Sequence, residues 1–219
     1  MKIALLGFGK MGQLIKSIAI EKGHTIDAIF DANNKVEKIS LPKVDVAIDF
    51  STPSSAYHNI STVLNQGIPV VSGTTGWIDK INRVNDLAIS NDTAFLYASN
   101  FSIGVNLFFE LNRKLNQLMK PHTEYKVHIN EIHHTEKIDA PSGTALTLKS
   151  DLNDSVNIKS ERIENVPGTH CINYDSKIDS ISISHVAHNR KGFAIGAVMA
   201  AEYIKDKKGV YSMSDVLKI

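Results

Sequence analysis

The chain has 219 residues, 42% of them hydrophobic and 21% charged, with 24 Lys and Arg against 23 Asp and Glu for a formal charge of +1. This is the composition of a globular protein with a real core, and its charge balance excludes a global field that would recruit nucleic acid or an anionic membrane. One cysteine, Cys171, excludes an internal disulfide framework and a cysteine-based zinc site.

The first apolar run, Ile3 to Leu6, meets Gly7 too soon for a signal segment, and nowhere do eighteen apolar residues stand in a row. A cytoplasmic protein without a membrane partner is expected. Short apolar runs rich in β-branched residues then alternate with helical periodicity. Strands are expected at Lys2 to Leu6, Thr25 to Phe30, Val44 to Phe50, Pro69 to Ser72 and Ala94 to Ser99, and helices near 11–22, 54–66 and 77–90. That alternation predicts an α/β fold, a doubly wound parallel sheet of the Rossmann type. The polar stretch Asp31 to Lys43, with Pro42, reads as a loop crossover. A long amphipathic helix, Ile103 to Met119, leads out of the sheet. Beyond it Tyr125, Val127, Ile129 and Glu131 alternate with polar residues, as do Ile181, Ile183 and His185, which suggests a second, antiparallel domain. Ser150 to Glu164 reads as a surface loop or ragged helix end. KGFAIGAVMAAEYI, Lys191 to Ile204, returns to helix and should rejoin the first domain.

Gly7-Phe8-Gly9-Lys10-Met11-Gly12 follows the first strand and opens the first helix, and Asp31 ends the second strand nineteen residues after Gly12. Glycines permit the tight turn and the close approach of a diphosphate to the helix N-terminus, and Asp31 is placed for a ribose hydroxyl, so a dinucleotide site is expected. Gly73-Thr74-Thr75-Gly76 would bring further N–H groups and hydroxyls to the same edge of the sheet.

The densest chemistry lies in EIHHTEKIDAPSGTAL, Glu131 to Leu146. Alternation puts His133 on the face of Val127, Ile129 and Glu131 and turns His134 the other way, so the two imidazoles cannot share one task. Singly, each residue has an ordinary explanation: a satisfied core histidine, a solvated Lys137, a helix cap at Ser142 or Thr144. Together, a titratable imidazole, a cation and a helix start within twelve residues suit proton transfer beside a bound anion. No metal is expected, because adjacent strand residues diverge and no H-x-x-x-H lies on a helix. Ser142 lacks the G-x-S-x-G setting of a nucleophile.

This stretch resembles the signature of the dihydrodipicolinate reductase (4-hydroxy-tetrahydrodipicolinate reductase) family. The resemblance extends through GFGKMG at 7–12, DFSTP at 49–53, GTTGW at 73–77, SNFSIGVN at 99–106, VPGTH at 166–170 and HNRKGFAIGAV at 188–198. It implies a Rossmann domain of residues 1–101 plus 190–219 that binds NADH or NADPH. It further implies a smaller mixed α/β domain, 102–189, that binds a small cyclic dicarboxylate and builds a homotetramer, in the synthesis of diaminopimelate and lysine. By the same resemblance His133 is the catalytic acid/base and Lys137 the proton donor. His134, Gly143 and Thr144 hold substrate carboxylates, and Gly7 to Gly12, Asp31, Gly73, Thr74, Thr75, Ala98, Ser99, Asn100 and Phe101 contact the cofactor. The carboxylate of Asp31, with no arginine beside it and only Lys35 near, leads to the expectation that NADH serves at least as well as NADPH. Two other readings stay open: another small Rossmann reductase of a carbonyl or imine acid, and an enzymatically silent dinucleotide-sensing protein.

Overall fold

The computed structural model describes residues 1–31, 33, 34, 43–152 and 155–219. The chain forms two compact units: unit 1, Met1–Ser102 with Lys191–Ile219, and unit 2, Ile103–Arg190.

Unit 1 is a parallel sheet of six strands, β1 (Lys2–Leu6), β2 (Thr25–Phe30), β3 (Val46–Asp49), β4 (Val70–Ser72), β5 (Ala94–Tyr97) and β10 (Gly209–Tyr211), in the order β10-β5-β4-β3-β1-β2. All of β3 and β4 and four of the five residues of β1 are buried. Helices cover both faces of the sheet, so its central strands read as continuous apolar runs. One face carries α1 (Lys10–Glu21) and α6 (Lys191–Ile204), whose Ile15, Ile18, Ala194, Ala197 and Val198 pack on Ile3, Leu5, Ile48 and Leu96. The other carries α2 (Pro53–Leu64) and α3 (Ile81–Ser90), with Ile60, Val63, Trp77 and Val84 packed on Leu6, Ala47 and Phe95. The strand order reverses between β1 and β3, and in such sheets the crevice beyond the carboxyl ends at that point is where ligands bind.

Unit 2 holds α4 (Ile103–Met119), α5 (Gly143–Ser150) and a sheet of β6 (Lys126–His133), β7 (Asn157–Arg162), β8 (Gly168–Asp175) and β9 (Ser180–Ala187), in the order β7-β6-β8-β9. Val105, Phe108 and Phe109 of α4 and Leu148 of α5 pack on Ile129, Ile172 and Tyr174.

The structure amends several expectations. A sixth strand, β10, comes from the tail and pairs in parallel with β5, and a short helix α7 (Met213–Leu217) follows it. The helix expected from 77 begins instead at Ile81, after a 3₁₀ turn at Ile78–Lys80. The polar stretch 150–164 is no loop throughout, because Asn157–Arg162 forms β7, an edge strand that pairs in parallel with β6. That makes the second sheet mixed rather than purely antiparallel. Most of the expected 31–43 loop, with Ala32 and Lys35, lies outside the described residues.

Small residues let α6 lie close to its neighbours. A Cβ on Gly196 would stand 1.8 Å from the carbonyl oxygen of Phe101, whereas one on Gly192 would meet nothing nearer than Ser102 Oγ at 3.6 Å. Gly196→Ala is therefore expected to lower stability by about 1–3 kcal/mol through overpacking, and Gly192→Ala, in the same helix, to raise it by about 0.5–1 kcal/mol through reduced freedom of the unfolded chain. Thermal unfolding of both variants checks the pair, and a Gly196→Ala protein as stable as the parent would contradict this packing.

Candidate active site

In unit 1 the glycine loop is shaped by contact. Gly7 has φ +96°, and a Cβ there would stand 2.2 Å from the carbonyl oxygen of Phe50. A Cβ on Gly12 would stand 2.4 Å from the Gly7 oxygen. Only glycine satisfies both conditions, and together they deliver the chain into α1 at Lys10, whose N-cap Gly9 offers no side-chain cap to the first N–H groups. Beside this loop opens a cavity of about 790 Å³ lined by Gly7, Phe8, Gly9, Asp31, Phe50, Ser51 and further residues of the α2 start. The backbone amides of Asn33 and Asn34 donate to Asp31 Oδ1 at 2.8 and 3.0 Å, which fixes the carboxylate at the cavity wall. A nicotinamide dinucleotide fits these features: a close backbone for a diphosphate, a helix start beneath it and a carboxylate for a ribose diol.

Of the expected cofactor residues, Gly7, Phe8, Gly9 and Asp31 line the cavity, while Lys10, Met11 and Gly12 continue into the first turn of α1. Gly73 and Phe101 meet it through Phe50, whose ring occupies the space a Gly73 side chain would need, 2.3 Å from that Cβ position, and lies 5.7 Å from the Phe101 ring. Thr74 joins through its hydroxyl, which accepts from the Ser51 N–H at 2.8 Å. Thr75, Ala98, Ser99 and Asn100 follow β4 and β5 and are not among the lining residues. Phe50 and Ser51 were not among the expected cofactor residues, although DFSTP follows an apolar strand as the two glycine-bearing turns do.

In unit 2 the chemistry gathers around Glu131, which is wholly buried on β6. The Ser142 N–H donates to both carboxylate oxygens, at 3.0 and 3.2 Å, and the Ser160 hydroxyl donates to Oε1 at 2.7 Å. His133 Nδ1 and His170 Nε2 lie 3.5 and 3.6 Å from Oε2, and an Arg162 nitrogen lies 3.8 Å from Oε1. Burial by itself would raise the Glu131 carboxyl, but the hydrogen bonds from Ser142 and Ser160 outweigh it and hold the group below its usual range. Burial lowers His133, and Lys137 and Arg162 reinforce this against the opposing pull of Glu131. Gly168 leaves the ring edge of His133 clear; a Cβ there would stand 3.2 Å from Nε2.

His170 arrives from β8, directly across from Glu131, and its ring lies 5.0 Å from that of His133, edge to face. Its Nε2 is 3.1 Å from Ser142 Oγ, which itself accepts from the Ala145 N–H and so caps α5. That hydroxyl proton is free to point at the Nε2 of a neutral His170.

Lys137 lies past the strand end, where its ammonium holds the Asp139 carboxylate at 2.7 and 2.9 Å. Arg162 donates to the carbonyls of Lys137 and Asp139 and so pins this turn. The Lys137 hydrogen bond, with help from the Gly143 N–H, keeps the Asp139 carboxyl below its usual range. The cation and the start of α5 thus converge on one carboxylate, supplied by the chain itself. Thr144 follows in the first turn of α5. His134, just beyond β6, is partly buried, with no hydrogen-bond partner for its Nδ1 among the described residues.

His133 and His134 diverge from adjacent positions and do not form a pair. The sheet instead joins Glu131, His133 and His170, whose donor atoms lie within 4.8 Å of one another. Glu131 and His170 are hydrogen-bonded to Ser142 and Ser160, whereas His133 Nδ1 faces the Glu131 carboxylate at 3.5 Å and has no hydrogen-bond partner among the described residues.

A family model described as "Dihydrodipicolinate reductase, N-terminus" matches residues 1–101, and one described as "Dihydrodipicolinate reductase, C-terminus" matches residues 104–217. The chain belongs to the dihydrodipicolinate reductase family. It is an oxidoreductase of that family. A relative from Christiangramia forsetii, named 4-hydroxy-tetrahydrodipicolinate reductase, is 48% identical over 99% of this chain and 98% of its own length. One of the same name from Thermosipho africanus is 36% identical over 100% and 98%. In fold, this reductase is similar to a dipicolinate-bound dihydrodipicolinate reductase from Paenisporosarcina sp. TG-14, with a TM-score of 0.78, 22% identity and 97% of each chain covered.

Burial holds His170 at a pKa of about 4, with the neighbouring His133 reinforcing the shift. A histidine lowered on folding contributes stability that is present above its unfolded pKa, about 6.5, and is lost as pH falls through the folded value, here about 3 kcal/mol in all. His170→Gln is expected to flatten the fall in melting temperature between about pH 7 and pH 4. Scanning calorimetry across that range tests this, and equal slopes for parent and variant would count against a buried neutral imidazole.

Proposed function

We propose that the chain reduces 4-hydroxy-tetrahydrodipicolinate to tetrahydrodipicolinate with NADH or NADPH and one proton, the 4-hydroxyl leaving as water, a step in the synthesis of diaminopimelate and lysine. The observation that carries this reading is the carboxylate of Asp139 seated on Lys137 and the start of α5, beside the buried imidazole of His133. A cyclic dicarboxylate offers an anion of the same kind to the same donors, and Gly143, Thr144 and His134 are assigned to its carboxylates. The bound nicotinamide supplies the hydride. Reduction at one carbon leaves charge on the neighbouring atom, and a proton must reach it from the protein. Lys137 is the assigned donor, and His133, with one nitrogen toward Glu131 and the other clear of obstruction at Gly168, the acid/base partner. Solved structures of other dehydrogenases share the fold at 11–12% identity and bear names with different substrates, so fold alone does not select the substrate, and this reading rests on the Glu131–Leu146 cluster.

An assay that forms the substrate from aspartate semialdehyde and pyruvate and follows NADH absorbance tests the activity directly. His133→Ala and Lys137→Ala are expected to lower turnover by about 10²–10⁴-fold while NADH binding stays near the parent value. Parent-like turnover in either variant would overturn its assignment.

For the cofactor, Asp31 at the cavity wall accepts from a ribose diol and repels a 2′-phosphate, and we infer that NADH serves at least as well as NADPH. Asp31→Ala should shift preference toward NADPH. Steady-state kcat/KM with both cofactors decides, and a tenfold parent preference for NADPH would refute the inference.

The homotetramer belongs to the same reading. β9 is an edge strand with Ile181 and Val186 exposed, a poor surface to leave to solvent. Light scattering at micromolar concentration should report four chains, and a monomer would reject this assembly.

A further inference from the structure

One titratable group of unit 1 takes no part in the chemistry above. Asp49 ends β3 and is wholly buried, where Val46, Ala47 and Ile48 before it are apolar. Its Oδ1 accepts from Ser51 Oγ at 2.6 Å and its Oδ2 from Ser72 Oγ at 2.9 Å. The Thr74 hydroxyl adds to this ring and also accepts from the Ser51 N–H, and the Gly73 N–H donates to the Asp49 carbonyl at 2.9 Å. One carboxylate therefore ties the turn after β3 to the turn after β4. Between these tethers lies Phe50. Its carbonyl abuts Gly7, its ring fills the space above Gly73 and lies tilted beside Phe101, and it lines the cavity together with Ser51.

We propose that Asp49 is a positioning residue for the dinucleotide: it holds Phe50 and Ser51 against the glycine loop so that the cavity keeps the shape the cofactor needs, at a cost to the stability of unit 1. The proposal rests on the reading that unit 1 binds a nicotinamide dinucleotide. Burial pushes the Asp49 carboxyl up to about 6, with the hydroxyls of Ser51, Thr74 and Ser72 pulling against it. At neutral pH the group is thus an ion in a site that prefers it uncharged, and a neutral isostere should leave the fold no weaker. Stability does not account for a carboxylate here; the fixing of two turns does.

The test uses the full chain without substrate. NADH and NADPH are titrated calorimetrically into the parent and Asp49→Asn, and apo melting temperatures are recorded. Asp49→Asn should raise Kd for both about tenfold, the loss of roughly one charged hydrogen bond's worth of positioning, with an unchanged or higher melting temperature. In turnover, KM for the cofactor should rise while kcat at saturation stays within about threefold. Binding within twofold of the parent overturns the proposal, and so does weaker binding accompanied by a lower melting temperature, which marks a merely structural loss. Ser72→Ala, which keeps the charge and removes one tether, guards against a variant that does not fold; it should weaken NADH binding about threefold, and no change would likewise overturn the proposal. A parent that fails to bind either cofactor removes the dinucleotide reading and this proposal with it. A parent that binds while Asp49→Asn binds equally well removes this proposal alone.

Discussion

A carboxylate taken out of water has to recover its hydrogen bonds from the chain, and each unit of this protein is organised around one such group. Glu131 and Asp49 are both wholly buried, and burial pushes both carboxyls up, yet the two end on opposite sides of their ordinary values. The difference lies in the donors. Glu131 receives a backbone N–H bonded to both oxygens and a serine hydroxyl, with the Arg162 guanidinium nearby, and these donors favour its charged form. Asp49 is held chiefly by hydroxyls, which satisfy its geometry without neutralising it. The first arrangement keeps an anion permanently available beside His133; the second leaves one poised near its titration point beneath the cavity.

Compensation of Glu131 also fixes what surrounds it. Ser142 donates its N–H to Glu131, caps α5 with its hydroxyl and meets His170 with the same oxygen. One residue therefore sets the start of the helix whose first N–H groups approach an anion and, through Glu131, the setting of the imidazole. The anion clamp and the proton site are not independent: they share a serine and an acid.

Much of this was legible in the order of residues, because the physics involved is local. Continuous apolar runs located β1 to β5, helical spacing located α4 and α6, and strict alternation placed His133 on the Glu131 face and separated it from His134. What escaped depends on register or on borrowed order. His170 is thirty-nine positions from Glu131 and becomes its neighbour only through the antiparallel pairing of β6 with β8. NIKSER has one apolar residue and becomes β7 because it adds to an edge already formed by β6. The three residues of β10 carry too little pattern to announce a strand, and β5 supplies the template. The Glu131–His133–His170 cluster was invisible for the same reason, although its central carboxylate stood in the most conspicuous stretch of the chain.

The connectivity of unit 1 has a consequence for how the protein is made. Its sheet is left unfinished at Ser102, and the helix α6 that covers one face and the strand β10 that extends one edge come only after unit 2 has been traversed. Unit 2, by contrast, is one uninterrupted segment. As the chain leaves the ribosome, the second unit can complete its core while the first still waits with Leu5, Ile48 and Leu96 uncovered, so the order of maturation inverts the order of synthesis. During that interval the nascent chain presents an apolar sheet face to its surroundings, and it is the returning segment Lys191–Ile219, rather than the first hundred residues, that removes it from the reach of chaperones and of other unfinished chains.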